Sequence, residues 1–368
     1  MSPAVPQRVL VAPLNWGLGH ATRCIPIIHE LLNQQAEVLI ASDGEAGLLL
    51  QKEFPGLTYF ELPPYGIHYS RSGLFFTHLF FQLPKIRTAI KAEHGITQQI
   101  VNRYHINKII ADNRYGCYSH KIKSTLITHQ LNPLLPTGLG WASYFAKRLL
   151  KSLLRNFSAC WVPDFPDRSL SGYLSASNHP VQFIGPLSRL KHTPASSGLY
   201  DLLVILSGPE PQRSILETIL MPQLFDSPFT FAVVRGKVES SCTERTHGQN
   251  RVVMNYAGTQ QLQQLLSQSK IVIARSGYST IMDLWAVQKK AILIPTPGQT
   301  EQEYLAANLK KQGIAFTIPQ HLFNLRQVLN KCRNYSGFTH MELNDLLTKQ
   351  IANLLAETNN WEPSQKND

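Results

Sequence analysis

The chain has 368 residues, 43% of them hydrophobic and 16% charged, which fits a folded globular protein of two domains and excludes extensive disorder. Five scattered cysteines (Cys24, Cys117, Cys160, Cys242, Cys332) exclude a disulfide framework or a zinc site, and no apolar run nears the roughly 20 residues of a membrane-spanning helix. The net charge of +11 is concentrated: residues 70–160 hold thirteen Lys and Arg against only Glu93 and Asp112, so that half expects an anionic partner.

The first apolar run, "RVLVAP" (8–13), is a predicted strand. "NWGLGHATR" (15–23) follows, and Ile25, Ile28, Leu31 and Leu32 then repeat at helical spacing from about Ala21 to Gln34. "AEVLIAS" (36–42) is the next strand, residues 45–52 a helix, and "LTYFELP" (57–63), "KIIADN" (108–113) and "STLITHQ" (124–130) further strands. This βαβ rhythm predicts a parallel sheet covered by helices. "VQFIGPLSRLKHTPASSG" (181–198) has the Pro, Ser and Gly content of a linker. The rhythm restarts at "LYDLLVILSG" (199–208) and continues through a helix near 212–220, "FTFAVVRG" (229–236), "NRVVMNYA" (250–257), "KIVIARSG" (270–277) and "KKAILIPT" (289–296). The expected class is α/β, with two doubly wound, Rossmann-like domains facing across a cleft. Their expected limits are 1–185 and 199–340, joined by a linker over 186–198 and followed by a helix over 341–357 and a disordered polar tail over 358–368.

The most informative stretch is "IVIARSGYSTIMDLWAVQKKAILIPTPGQTEQEYLAANLKKQGIA" (271–315). A strand ends at Ala274, Arg275-Ser276-Gly277 forms a turn, and a helix begins near Tyr278. First-turn amides and the helix dipole favour a diphosphate there, with Ser279 and Thr280 adding hydroxyl donors. Asp283, one turn on, suits ribose hydroxyls, while Gln299, Gln302 and Glu303 after the next strand suit the hydroxyls of a sugar. The plainer alternative is an ordinary strand–turn–helix in which Ser276 and Thr280 only cap.

This stretch resembles the C-terminal donor-binding region of family 28 glycosyltransferases, the MurG-like lipid glycosyltransferases of the GT-B fold. The resemblance implies a UDP-sugar donor. Ser276, Gly277 and Thr280 would then lie at the diphosphate, Asp283 at the ribose, and Gln302 and Glu303 at the sugar. "ILSGPEPQR" (205–213) stands where the family has a loop under the phosphates, which adds Ser207 and Gly208, and "GPLSR" (185–189) resembles the family hinge. Where family members often carry two adjacent glutamines this chain has Gln302-Glu303, which leaves the donor sugar open.

The same resemblance places Gly17 and Gly19 of the first loop against the transferring sugar or the acceptor, and His20 at the reaction centre. An imidazole, with an ordinary pKa of about 6.5, suits a general base at neutral pH. The alternative for His20 is capping or ordering of the loop; Thr22 and Arg23 read as structural, Arg23 through a hydrogen bond to a neighbouring loop. "ADNRYG" (111–116) brings Asp112, Asn113 and Arg114 to the expected cleft edge, with Asp112 an alternative base, and His129 and Gln130 end the next strand. A competing reading is dinucleotide binding on Gly17-x-Gly19, with Thr22 at the third glycine position and Asp43 as the ribose acid. No Asp-x-Asp occurs, so a metal-bound nucleotide-sugar site is not expected; with the UDP-sugar as substrate, no cofactor is expected either.

Two segments address the basic half. "SGLFFTHLFFQLPKIRTAIK" (72–91) puts large apolar residues before a basic, proline-led helix. In "SYFAKRLLKSLLRNF" (143–157), Phe145, Leu149, Leu150, Leu153, Leu154 and Phe157 repeat at helical spacing among Lys147, Arg148, Lys151 and Arg155. This is the pattern of a helix lying in an anionic bilayer surface, and a lipid acceptor would explain both segments. A surface helix packed on the sheet is the alternative. No nucleic-acid module is recognisable. The expected protein is a cytoplasmic, inverting, metal-independent hexosyltransferase, peripheral on the inner face of the membrane. Its alternatives are a UDP-sugar hydrolase or epimerase of the same fold, or a non-enzymatic nucleotide- or RNA-binding protein.

Overall fold

The computed structural model describes residues 6–66, 75–135, 140–193, 198–208, 210–237, 244–246, 250–339 and 345–357, without the side chains of 75–83, 140–142 and 244–246. The chain divides into two compact units, one of Met1–His68, Leu79–Leu187 and Leu343–Asp368, the other of Tyr69–His78 and Ser188–Glu342.

In the first unit seven parallel strands form one sheet: β1 (Arg8–Pro13), β2 (Glu37–Ser42), β3 (Thr58–Glu61), β4 (Lys108–Asp112), β5 (Lys123–Ile127), β6 (Ala159–Val162) and β7 (Gln182–Phe183). Their order is β3-β2-β1-β4-β5-β6-β7. The central strands are apolar on both faces because helices cover both; Val9 to Ala12 and Ile109 to Ala111 are fully buried. Those helices include α1 (Leu18–Asn33), α2 (Gly44–Glu53), α3 (Phe75–Tyr104) and α4 (Gly140–Leu154). Helix α1 starts three residues earlier than its periodicity predicts. Gly17, at φ +82°, caps the helix at the end of the short loop from β1, so Gly19 and His20 belong to its first turn. Helix α3 likewise begins before Pro84 and contains it, which corrects the proline-led start.

The second unit repeats the plan with β8 (Tyr200–Ile205), β9 (Phe231–Val234), β10 (Glu244–Thr246), β11 (Arg251–Met254), β12 (Ser269–Ala274), β13 (Lys290–Leu293) and β14 (Phe316–Thr317). Their order is β10-β11-β9-β8-β12-β13-β14, and only β10 runs antiparallel to its neighbour. The unit's helices include α5 (Gln212–Phe225), α6 (Thr259–Ser267), α7 (Tyr278–Val287), α8 (Thr300–Lys311) and α9 (Leu325–Cys332). The final helix, α10 (Leu346–Ala356), returns to the first unit: Ile351 and Leu354 are buried, and Gln34 Nε2 donates to the Thr348 carbonyl at 3.1 Å. Residues 341–344 of the expected helix and the whole tail 358–368 lie outside the described residues.

Two parallel-sheet α/β units of this kind are consistent with the GT-B double-Rossmann fold. In each sheet the strand order reverses at the first strand, between β1 and β4 and between β8 and β12. Open α/β sheets bind ligands beside such reversals, at the carboxyl ends of the strands.

Candidate active site

At the reversal of the first sheet, β1 and β4 pair in register to their ends, Pro13 opposite Asp112, and the Leu14 amide donates to the Asp112 carbonyl at 3.0 Å. The short loop to α1 therefore begins beside Asp112. His20 and Arg23, three residues apart on one face of α1, both reach that carboxylate. His20 Nδ1 lies 2.9 Å from Asp112 Oδ1. Arg23 donates to both carboxylate oxygens, through Nε to Oδ2 and Nη2 to Oδ1. Cys24 Sγ donates to Oδ2 at 3.8 Å, and His129 Nδ1 lies 3.4 Å from Arg23 Nη1. Arg23, Asp112 and His129 are buried, while His20 keeps a partly open edge.

The electrostatics assign the imidazole's state. Burial alone would raise the Asp112 carboxyl, but the Arg23 guanidinium and His20 hold it well below the usual carboxylate range. A carboxylate accepts and never donates, so the short contact makes His20 Nδ1 the protonated nitrogen. Arg23 Nη2, 2.9 Å from the same nitrogen, is spent on Asp112. Burial pushes the imidazole pKa below its ordinary value, Asp112 opposing and Arg23 assisting. His20 is therefore neutral at pH 7 and carries its lone pair on Nε2.

Other expected residues of this loop region are placed differently. Arg114 is fully buried and bonded to Asp43, to Glu93 (2.5 Å) and to the Pro13 carbonyl (3.0 Å), so it ties β4 to α2 and α3 and presents nothing to a ligand. Asp43, the acid of the dinucleotide reading, is consumed by Arg114 and by Asn15 Nδ2 at 3.1 Å. Asn113 takes a left-handed backbone (φ +52°) and is buried. A Cβ built at Gly17 meets nothing within 4 Å, so dihedral freedom and not crowding requires that glycine. Gly19 sits in the first turn of α1, where its carbonyl accepts from Thr22 Oγ1 at 3.1 Å.

At the reversal of the second sheet, β8 and β12 are paired to Ile205 and Ala274, which sets Ser207-Gly208 beside Arg275-Ser276-Gly277. Gly208 has φ +96° with open space where a Cβ would stand. Gly236, after β9, packs so tightly that a Cβ would lie 2.4 Å from the Leu206 carbonyl oxygen. Gly277 caps α7, and the first-turn amides of Tyr278, Ser279 and Thr280 have no acceptor within the helix. Buried Ser276 does not offer its hydroxyl: Oγ donates to the Gln302 carbonyl at 2.8 Å. Arg275, expected among the donor-binding residues of this turn, is also buried and directs its hydrogen bonds to the carbonyls of Ile294, Pro295 and Gln212.

Half-buried Asp283 accepts from Ser188 Oγ at 2.5 Å, and burial raises its pKa to about 6 against the pull of Arg189 and that hydrogen bond. Gln302 Oε1 accepts from the Thr296 amide (2.9 Å), Gln302 Nε2 donates to Gln299 Oε1, and Glu303 Oε1 accepts from the Gly298 amide (3.0 Å). These three side chains thus shape the β13–α8 loop, each with acceptor or donor capacity left over.

Helix α4 packs Leu154 on the core together with nearby Phe157, yet leaves Tyr144 (66%), Phe145 (62%) and Leu149 (41%) exposed among Lys147, Arg148, Lys151 and Arg155. Of the other basic segment, residues 72–74 and the side chains up to 83 lie outside the described residues. No helix among the described residues is long and apolar enough to cross a membrane. Among them, too, no cluster of three His, Cys, Asp or Glu is arranged to hold a metal ion.

Residues 204–355 match the glycosyltransferase family 28 C-terminal domain. An uncharacterised glycosyltransferase of Methanosarcina mazei is 23% identical over 93% of this chain and 96% of its own. The UDP-N-acetylglucosamine–N-acetylmuramyl-(pentapeptide) pyrophosphoryl-undecaprenol N-acetylglucosamine transferase of Methylorubrum extorquens is 42% identical over 60 residues, 16% of each chain. Among solved structures, the glycosyltransferase SsfS6 of Streptomyces sp. SF2575, complexed with thymidine diphosphate, superposes with a TM-score of 0.57 at 12% identity, covering 95% of this chain and 96% of its own. By fold and by the sequence of its second half, the chain is a homologue of glycosyltransferases that act on nucleotide-sugar donors.

Proposed function

We propose that the protein is a MurG-like, inverting and metal-independent glycosyltransferase that moves a hexosyl group from a UDP-sugar to the hydroxyl of a lipid or other hydrophobic acceptor. The carrying observation is the His20–Asp112–Arg23 constellation at a strand reversal. His20 Nε2 takes the acceptor proton as the acceptor oxygen bonds to the anomeric carbon and the bond to UDP breaks. Ionised Asp112 fixes the tautomer and stabilises the imidazolium that forms; with both oxygens held by Arg23, it serves as orienting partner rather than base. The leaving diphosphate is received by the α7 amides with Ser207, Gly208, Ser279 and Thr280, the ribose by Asp283, and the sugar by Gln299, Gln302 and Glu303.

The thymidine diphosphate in SsfS6 supports a nucleoside diphosphate donor. The exposed aromatic and basic face of α4 supports an anionic, lipid-bearing surface as the place of work, with the enzyme peripheral to the cytoplasmic membrane. The test is a panel of UDP-sugars, read first by thermal stabilisation and then by turnover with lipid acceptors. His20→Ala is expected to lower kcat by about 10²–10⁴-fold with the Kd for UDP unchanged. An unchanged kcat removes His20 from its role, and sugar release without an acceptor makes the protein a hydrolase.

A further inference from the structure

Arg275 stands at the end of β12, at the reversal point, only 1% exposed. Its Nη1 donates to the carbonyls of Ile294 (3.3 Å) and Pro295 (3.2 Å), and its Nη2 to the carbonyl of Gln212 (2.8 Å) and to Gln320 Oε1 (2.9 Å). Every acceptor is neutral. Among the described residues no carboxylate pairs with this guanidinium, and its Nε has no hydrogen-bond partner. The buried arginines of the first unit differ: Arg23 is paired with Asp112, and Arg114 with Asp43 and Glu93. Burial draws the Arg275 pKa down to about 10, which still leaves it charged at neutral pH.

A buried cation without a counter-ion is destabilising, and a protein that needed only the hydrogen bonds at this position would be more stable with a carboxylate at Gln320. The uncompensated charge lies directly before Ser276-Gly277 and the N-terminus of α7, whose dipole is positive at that end. We propose that Arg275 is a positioning residue for the phosphates of the nucleotide, a fixed countercharge that attracts them through its field while its hydrogen bonds face the protein. The inference rests on the UDP-sugar reading above, since the anion it awaits is that diphosphate. It also assigns Gln320 a role: a neutral acceptor that holds the guanidinium without cancelling it.

Gln320→Glu tests this in the full chain, because the carboxylate keeps the acceptor oxygen for Arg275 and supplies the missing counter-ion. Calorimetric titrations would compare UDP, uridine and inorganic pyrophosphate at low ionic strength. A unit charge about 10 Å away, at an effective dielectric of about 20, changes affinity roughly tenfold per ligand charge. UDP and pyrophosphate each carry two or more charges, so Gln320→Glu is expected to weaken both by about a hundredfold and leave uridine unchanged. The charge-retaining Arg275→Lys is expected to keep the UDP-to-uridine ratio of the wild type. Parallel losses for UDP and uridine in Gln320→Glu, or unchanged UDP binding, would show a purely architectural arginine and overturn the proposal. If the wild type binds pyrophosphate but not UDP, and Gln320→Glu loses the pyrophosphate, the countercharge stands and the uridine-nucleotide reading falls.

Discussion

Asp283 pairs a cost in stability with a binding role, and Asp283→Asn separates the two. Its pKa rises from 3.8 to about 6 in the folded chain because burial penalises the carboxylate more than Ser188 and Arg189 favour it. A folded pKa above the unfolded one means that the native state binds the proton more tightly. Stability from this group is therefore complete below about pH 4 and lost as the pH rises through 6. A shift of about 2 units at 1.36 kcal/mol per unit gives about 3 kcal/mol, and partial exposure reduces it to about 2 kcal/mol. Asparagine has similar volume, does not titrate and still accepts from Ser188. In urea unfolding of the ligand-free chain, Asp283→Asn is expected to match the wild type near pH 4 and to exceed it by about 2 kcal/mol at pH 8. The same variant is expected to bind UDP more weakly, since the carboxylate is the stronger acceptor for ribose hydroxyls. Equal stability differences at pH 4 and pH 8 would refute the pKa reasoning, and unchanged UDP affinity would refute the ribose contact.

Asp112→Asn leaves the Arg23 charge buried with a neutral partner, so a loss of about 3–5 kcal/mol is expected in urea unfolding at pH 7, and a loss under 1 kcal/mol would mean that the pair is not held as described. Replacing Tyr144 and Phe145 by serine is expected to weaken binding to vesicles containing anionic lipid by about tenfold or more without altering UDP affinity. Binding that survives the change would take α4 out of any membrane contact.

Much of the fold was legible because buried parallel strands announce themselves. Val9 to Ala12, Ile109 to Ala111 and Val272 to Ala274 are continuous apolar runs ended by turn residues, and each matches a central strand. The edge and outer strands β7, β10 and β14 are two or three residues long and carry no periodicity to detect, and β6 follows directly on the α4 pattern. In the site, position along the chain was readable but side-chain direction was not. Arg114, Arg275 and Ser276 all follow strand ends, as ligand-binding residues do, yet each points into the protein to secure neighbouring backbone. Arg23 was missed as the partner of Asp112 because 89 residues separate them, and only the pairing of β1 with β4 brings them together. One signal was available: an Arg three residues after a His on a first helical turn can share that residue's partner.

The most direct measurement is hydrogen–deuterium exchange of the whole chain with and without UDP. Binding as described slows exchange at Ser207-Gly208 and at the α7 amides of Tyr278, Ser279 and Thr280, and leaves α4 unchanged. Protection confined to the β1–α1 loop around Gly17 to His20 would put the nucleotide in the other sheet and contradict the assignment.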